Sequence, residues 1–344
     1  MNIFWLLSGN SNNPSSRIHG INIHKKLKEL GYNSFLIHVP FFYTTDLIWN
    51  DFFTVYFYNK TKVNDLIIIQ KLSGINTIEF VKKIKNNGVK IAFIDCDLPL
   101  KIEIAKLSDL VICPSNILAE KYRSYEIANV SEIFDAVEVF KRPIKRNQFL
   151  KTLIWFGKSG LGKWDLINEF KKEKLPKITK DWKLFILSDH KDSDFFWDIS
   201  TFHKIISSHD LSIIPVDKKE SNLVKSANRC TQSMALGVPV ISNYIESYSN
   251  IIQNNQNGFM SDNYNDWKNF FKKCENPDFL NLLKHRAYND SLKYSIDNII
   301  REWIKILNLK RAKVNTLNSI LSYFYYSFLL GKVASSRFFY AKKF

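Results

Sequence analysis

Short apolar runs alternate with amphipathic helical stretches along almost the whole chain, and no other feature constrains its fold so tightly. Strands buried on both faces read as unbroken apolar runs, and two parallel strands need a crossover, usually a helix, between them. Ile3–Leu7, Ser34–Val39, Leu66–Gln70, Lys90–Ile94 and Leu110–Cys113 are such runs in the first half. Helical patterns separate them: His19–Leu30 with Ile23, Leu27 and Leu30 on one face and Gly31 at its end, Ile75–Asn86 stopping near Gly88, and a helix capped by Ser115. The alternation then breaks. Val137–Gln148, with Lys141, Arg142, Pro143, Lys145 and Arg146, has no apolar period and reads as an interdomain linker. Beyond it Thr152–Phe156, Leu184–Ser188, Leu211–Pro215 and Val238–Ser242 read as strands. Lys163–Lys171, Phe202–Ser207, Lys225–Leu236 and Asp266–Cys274 read as helices.

The expectation is therefore an α/β chain of two Rossmann-like domains facing each other across a cleft, residues 1–145 and 146–308, followed by a tail, 309–344. A length of 344 residues is comfortable for two cores, and 45% hydrophobic against 24% charged residues excludes a disordered chain. The formal charge of +16 favours anionic partners: nucleic acid, acidic lipid or phosphorylated small molecules. Cys96, Cys113, Cys230 and Cys274 form no CxxC pair, which argues against a disulfide framework or a zinc site. With no signal-peptide pattern and no run of ~18 apolar residues, a cytoplasmic protein is expected. The tail holds seven basic and no acidic residues around the aromatic run Leu317–Leu330. It reads either as a helix docked on the domain or as one lying on an anionic membrane surface.

The chemistry-bearing stretch is Leu211–Ser242, a buried strand followed by a polar loop and a helix. Lys225, Ser226, Asn228 and Arg229 stand where that helix begins, so amide N–H groups, the positive end of the dipole and two cations can meet an anion there. They form a candidate diphosphate cradle. The loop Gly157–Lys163 also follows a strand and opens a helix, so Lys158 and Lys163 can approach the same phosphates. It is not a kinase phosphate loop, because Trp164 occupies the position of the hydroxyl that would hold a metal ion. In the first half, Gly9, Arg17 and His19 follow the first strand, and Asp95 and Asp97 follow the fourth. His19, Asp95 and Asp97 are equal candidates for a general base. Ser188 and Asp189, after a second-half strand, are placed to meet a nucleoside.

Several of these segments, taken in order, resemble the GT-B glycosyltransferases. They are Ser15-Ser16-Arg17-Ile18-His19-Gly20, Ser108-Asp109-Leu110-Val111 before Pro114-Ser115, Trp155-Phe156-Gly157-Lys158, Lys225-Ser226-Ala227-Asn228-Arg229, Ser233-Met234-Ala235-Leu236-Gly237-Val238-Pro239-Val240, and Asn257-Gly258-Phe259. The resemblance spans roughly residues 1–305. It implies transfer of a sugar from a nucleotide-sugar donor to a hydroxyl of a glycan or lipid-linked acceptor, in bacterial surface polysaccharide synthesis. The donor is a substrate, and no cofactor or metal is implied. Many retaining members carry Glu-x7-Glu across the donor helix; here those positions are Val224 and Gln232. Gln232 then meets the donor ribose as a neutral amide. Two other functions fit parts of the pattern. A sugar-nucleotide epimerase shares the architecture, and a nucleic-acid binder would use the charge, although the cations cluster only in the tail.

Overall fold

Each half of the chain builds one parallel sheet of six strands, described in a computed structural model over residues 1–48, 57–160 and 162–310. The first sheet holds β1 (Ile3–Leu7), β2 (Ser34–His38), β3 (Leu66–Gln70), β4 (Lys90–Ile94), β5 (Leu110–Cys113) and β6 (Val130–Glu132), in the order β2-β1-β3-β4-β5-β6. The second holds β7 (Thr152–Phe156), β8 (Lys183–Ser188), β9 (Phe195–Phe196), β10 (Leu211–Ile214), β11 (Val240–Ser242) and β12 (Gly258–Met260), in the order β12-β11-β10-β7-β8-β9. Strand order reverses between β1 and β3 in one sheet and between β7 and β10 in the other. A crevice opens at such a reversal, beyond the carboxyl ends of the strands.

The apolar runs become strands because both of their faces are covered. All five residues of β3 are buried, and the helix Ile75–Lys85 lays Thr77, Ile78, Phe80, Val81 and Ile84 against that side of the sheet. Ile67, Ile69, Phe80, Val81 and Ile91 share one core, while Trp5, Ile68, Ala92 and Ile112 face another. In the second lobe Trp155, Ile213 and Ile241 pack with Phe270 and Phe271. All four cysteines are buried and free. Among the described residues no helix is long and apolar enough to cross a membrane.

Three features differ from the sequence reading. The first helical region is not one helix from His19: Pro14–Ser16 passes through a π-type turn, Arg17–Ile21, into the helix Asn22–Glu29. The wide turn buries both Arg17 and His19. Gly20 is needed there, since a Cβ would lie 2.5 Å from a methyl of Leu7. The helix read from Lys225 begins at Asn228, after a short helix, Glu220–Leu223. Gly237 ends it with φ +69°, and a Cβ there would strike Pro143 of the linker at 2.7 Å.

The linker has no regular element but is fastened along its length. Val137 N–H donates to the Tyr294 carbonyl and Lys141 N–H to that of Ala235, both at 2.9 Å. Further along, Arg146 exchanges two hydrogen bonds with the Asn281 amide.

The helix Ile296–Ile306, assigned to the second domain by sequence, returns to the first. Ile299, Ile300 and Trp303 join the core of Trp5, Ile23 and Leu27, and the Trp5 and Trp303 rings lie 5.9 Å apart. Of the tail 309–344, residues 311–344 lie outside the described residues.

Candidate functional site

The reversal point of the second sheet gathers the cations. The loop after β7 leads into the helix Lys163–Glu169, and the loop after β10 leads to the helix Asn228–Ala235. Lys163 lies beside Lys225 and Arg229. Burial first, then the charges of Lys225 and Arg229, pull its amine down to about 8, with Asp97 of the opposite lobe acting in the other direction. Among the described residues none of the three forms an ion pair with a carboxylate. Arg229 lies over the Trp155 ring, 5.7 Å from its centroid, which fixes the guanidinium without neutralising it. The helix start adds to the positive potential, because Ala227 offers no side-chain cap. The side-chain nitrogen of Asn228 is buried there without a partner. Three unneutralised cations around one helix end form a site for an anion.

The glycine loop is held from behind. The Ser159 N–H donates to Asp189 Oδ1 at 2.7 Å, and the Ser188 hydroxyl reaches the same oxygen at 3.2 Å. Burial would raise the Asp189 carboxyl, but the bonds from Ser159 and Ser188 outweigh it and hold it below the ordinary value. His190 stacks on Trp164 with ring centroids 3.8 Å apart, next to Lys163. Ser188 and Asp189 thus brace the loop that carries Lys163. Lys158 is exposed and forms no ion pair among the described residues.

Across the cleft, the reversal point of the first sheet is stitched by Gln70. Its Oε1 accepts from the Ser8 N–H at 3.1 Å and from the Ser8 and Ser16 hydroxyls at 2.9 and 3.0 Å. Gly9 follows, packed on Asn13, where a Cβ would be 3.1 Å from the Asn13 Cβ. His19 faces inward, its Nδ1 3.2 Å from Oδ1 of Asp135. The other oxygen of Asp135 accepts the Ser226 hydroxyl at 2.6 Å. Burial raises the Asp135 carboxyl, while His19 and the Ser226 bond work against that rise. Asp135 therefore joins the first helical turn of one lobe to the donor-side helix start of the other. Sequence reasoning missed it, although an acid inside the apolar stretch Ile133–Val137 was a signal.

The other base candidates separate. The expectation that Asp95 faces the cleft is overturned: it has no exposed surface and accepts from the Tyr122 hydroxyl at 2.5 Å and the Cys96 N–H at 2.9 Å. It pins Tyr122 inside the first lobe. Asp97 is partly exposed and ion-paired with Lys71 at the end of β3. The expected ribose contact of Gln232 also needs correction. Its Oε1 accepts the Glu138 N–H at 2.9 Å and its Nε2 donates to the Val139 carbonyl at 2.8 Å, so both ends are spent on the linker. Glu138 in turn holds Arg17 by two bonds, of 2.6 and 3.0 Å.

The loop after β10 also docks on the first lobe. Val224 is buried in that lobe's core, and its carbonyl accepts the Ser115 hydroxyl at 2.5 Å. Lys121 and Glu220 form a second cross-lobe pair. Asn257-Gly258-Phe259 is structural: Asn257 is bound inside its own turn, and a Cβ on Gly258 would lie 2.8 Å from the Val240 carbonyl.

Neither a protein-family model nor a curated protein sequence matches the chain. Solved structures do. TarM of S. aureus is 16% identical over 74% of this chain, with a TM-score of 0.58. The chain spans 57% of the TarM length. HepE of Anabaena, solved in complex with UDP, is 14% identical over 90% of this chain and 100% of its own, with a TM-score of 0.59. A glycosyltransferase from Rickettsia africae is 13% identical over 89% of this chain and 97% of its own, with a TM-score of 0.62. The fold shared with these proteins is the two-lobed GT-B arrangement expected from the sequence.

Proposed function

We propose that this chain is a glycosyltransferase that moves a sugar from a nucleoside-diphosphate donor to a hydroxyl of a glycan. One observation carries the reading: Lys163, Lys225 and Arg229 converge, without a carboxylate partner among the described residues, on the helix start at the reversal point of the second sheet. In the transfer, the bond between the sugar's anomeric carbon and the diphosphate oxygen breaks, and negative charge grows on that oxygen. The three cations and the helix dipole stabilise it more strongly in the transition state than in the ground state. His19 takes the proton of the attacking acceptor hydroxyl, with Asp135 3.2 Å from its Nδ1 to orient the ring and steady the imidazolium.

The positive charge for this step comes from the chain's own side chains, so turnover is proposed to need no metal ion. Placement in surface polysaccharide synthesis, with a glycan or lipid-linked acceptor, rests on the resemblance of the motifs. A cytoplasmic location, with residues 309–344 on an anionic membrane face, rests on the seven basic residues of the tail. No observation favours an epimerase or a nucleic-acid binder. HepE has the same fold and was solved with UDP, so UDP is the first probe. A saturating nucleoside diphosphate is expected to raise the thermal midpoint, by ~2.7 kcal/mol of stability at a hundred times Kd. The reading fails if no nucleoside diphosphate shifts the midpoint and no UDP-sugar is consumed in the presence of oligosaccharides.

A further inference from the structure

We infer that Phe41, Phe42 and Tyr43, in the loop after β2, form a stacking platform for the sugar rings of the acceptor, an inference that rests on the transferase reading above. The three side chains stand in a row and are 71%, 68% and 54% exposed. The Phe41 and Phe42 rings meet edge to face at 5.0 Å and present an angled aromatic surface to solvent. Contiguous exposed apolar side chains of this kind mark interaction sites.

The backbone beneath them is not loose. Asn10 donates its amide to the Phe41 carbonyl at 2.9 Å, and the Thr44 N–H donates to the Ser8 carbonyl at 2.8 Å. Asp46 then accepts from the Thr77 N–H and hydroxyl, both at 2.8 Å, which ties the loop to the helix Ile75–Lys85. The platform is thereby fastened to the loop of Ser8 and Gly9 at the first sheet's reversal point.

Continuity with the cleft identifies the occupant. Lys71 Nζ lies 5.8 Å from the centroid of the Tyr43 ring and pairs with Asp97, and the charge of Asp97 reaches Lys163 on the far lobe. A pyranose has an apolar face of C–H bonds and an edge of hydroxyls. The rings match the face, and Lys71 with Asp97 stands at the edge to meet hydroxyls. An anionic membrane is the competing occupant, and it calls for cations beside the aromatics. Residues 39–48 contain no Lys or Arg, in a chain with 49 of them, and Lys71 at the Tyr43 ring is buried and paired with Asp97. The charge pattern selects the glycan.

The full chain is tested with maltohexaose, cellohexaose and chitohexaose by saturation-transfer NMR and titration calorimetry, with UDP and with phosphatidylglycerol vesicles in parallel. At least one hexasaccharide is expected to bind. The variant F41A/F42A/Y43A should weaken it at least tenfold, and F42A alone, which serves if the triple variant misfolds, about threefold. Both should keep the wild-type UDP affinity within twofold. Equal binding of all hexasaccharides by variant and wild type, or no hexasaccharide binding by the wild type, overturns the inference. So does a loss confined to vesicle binding, which would assign the loop to a membrane. Failure of UDP to bind the wild type is a separate outcome and sinks the transferase reading itself.

Discussion

Nδ1 of His19 lies 3.2 Å from Oδ1 of Asp135, although 116 positions separate them in the chain. Because the second oxygen of Asp135 holds Ser226, one buried carboxylate links His19 of one lobe to the turn before the helix Asn228–Ala235 of the other. In the proposed reaction it orients the His19 ring. His19→Ala is expected to lower kcat about 10²–10⁴-fold, the usual worth of a positioned base. Asp135→Asn should lower kcat at least tenfold, move the donor KM far less, and alter the acid limb of the pH–rate profile. An Asp135→Asn enzyme with wild-type kcat and profile would remove Asp135 from the mechanism.

Lys225→Ala and Arg229→Ala each remove one cation from the helix start, and Arg229→Ala also uncovers the face of the core residue Trp155. A lost hydrogen bond to a charged group costs about 1.5–3 kcal/mol, which is roughly ten- to a hundredfold in Kd. Calorimetry with UDP should show that loss in each variant, and the urea midpoint without UDP should be unchanged in Lys225→Ala. Unaltered affinity in both would show that the phosphates bind elsewhere.

The depressed Lys163 amine gives a pH signature. Unfolded, it titrates near 10.5, and in the fold near 8. Between these values the unfolded chain holds the extra proton, so this group's contribution to stability is least below about pH 8 and grows as the pH rises towards 10.5. A bound diphosphate favours the ammonium form. Donor binding should therefore take up a proton above pH 8, and affinity should fall from pH 8 to 10. Lys284, buried and also drawn down to about 8, has the same sign for stability but no contact with the cleft. Calorimetry in buffers of different ionisation enthalpy separates the two, since Lys163→Met should abolish the proton uptake and Lys284→Met should not.

Much of this was readable from local sequence. Long buried runs such as Leu66–Gln70 could only be inner strands, and Lys225 and Arg229 announce an anion site because they lie four positions apart at a helix start. The three missed strands β6, β9 and β12 have three, two and three residues, too short for any periodicity to register. Asp95 and Gln232 were misplaced for one reason. Their partners, Tyr122 and the backbone of Glu138 and Val139, lie 27 to 94 positions away, and only the folded chain brings them into hydrogen-bond range. Asp135 escaped notice because its whole role is to join distant segments.

Val224 tests the docking of the donor-side loop. It belongs to the second lobe's sequence but is buried in the first lobe's core. Val224→Ala removes two methyl groups from that core and should cost about 2 kcal/mol by urea unfolding. Hydrogen exchange over residues 216–227 should quicken more than that of β10. Equal protection across the loop in variant and wild type would show that Val224 does not hold it down.

The return of the helix Ile296–Ile306 to the first lobe has a mechanical corollary. The chain crosses between the lobes twice, by the linker and by this helix, and the loop of Val224 docks them a third time. Three such ties restrict the relative motion of the lobes more than a single linker would. Leu309, the last buried residue among those described, is packed in the first lobe.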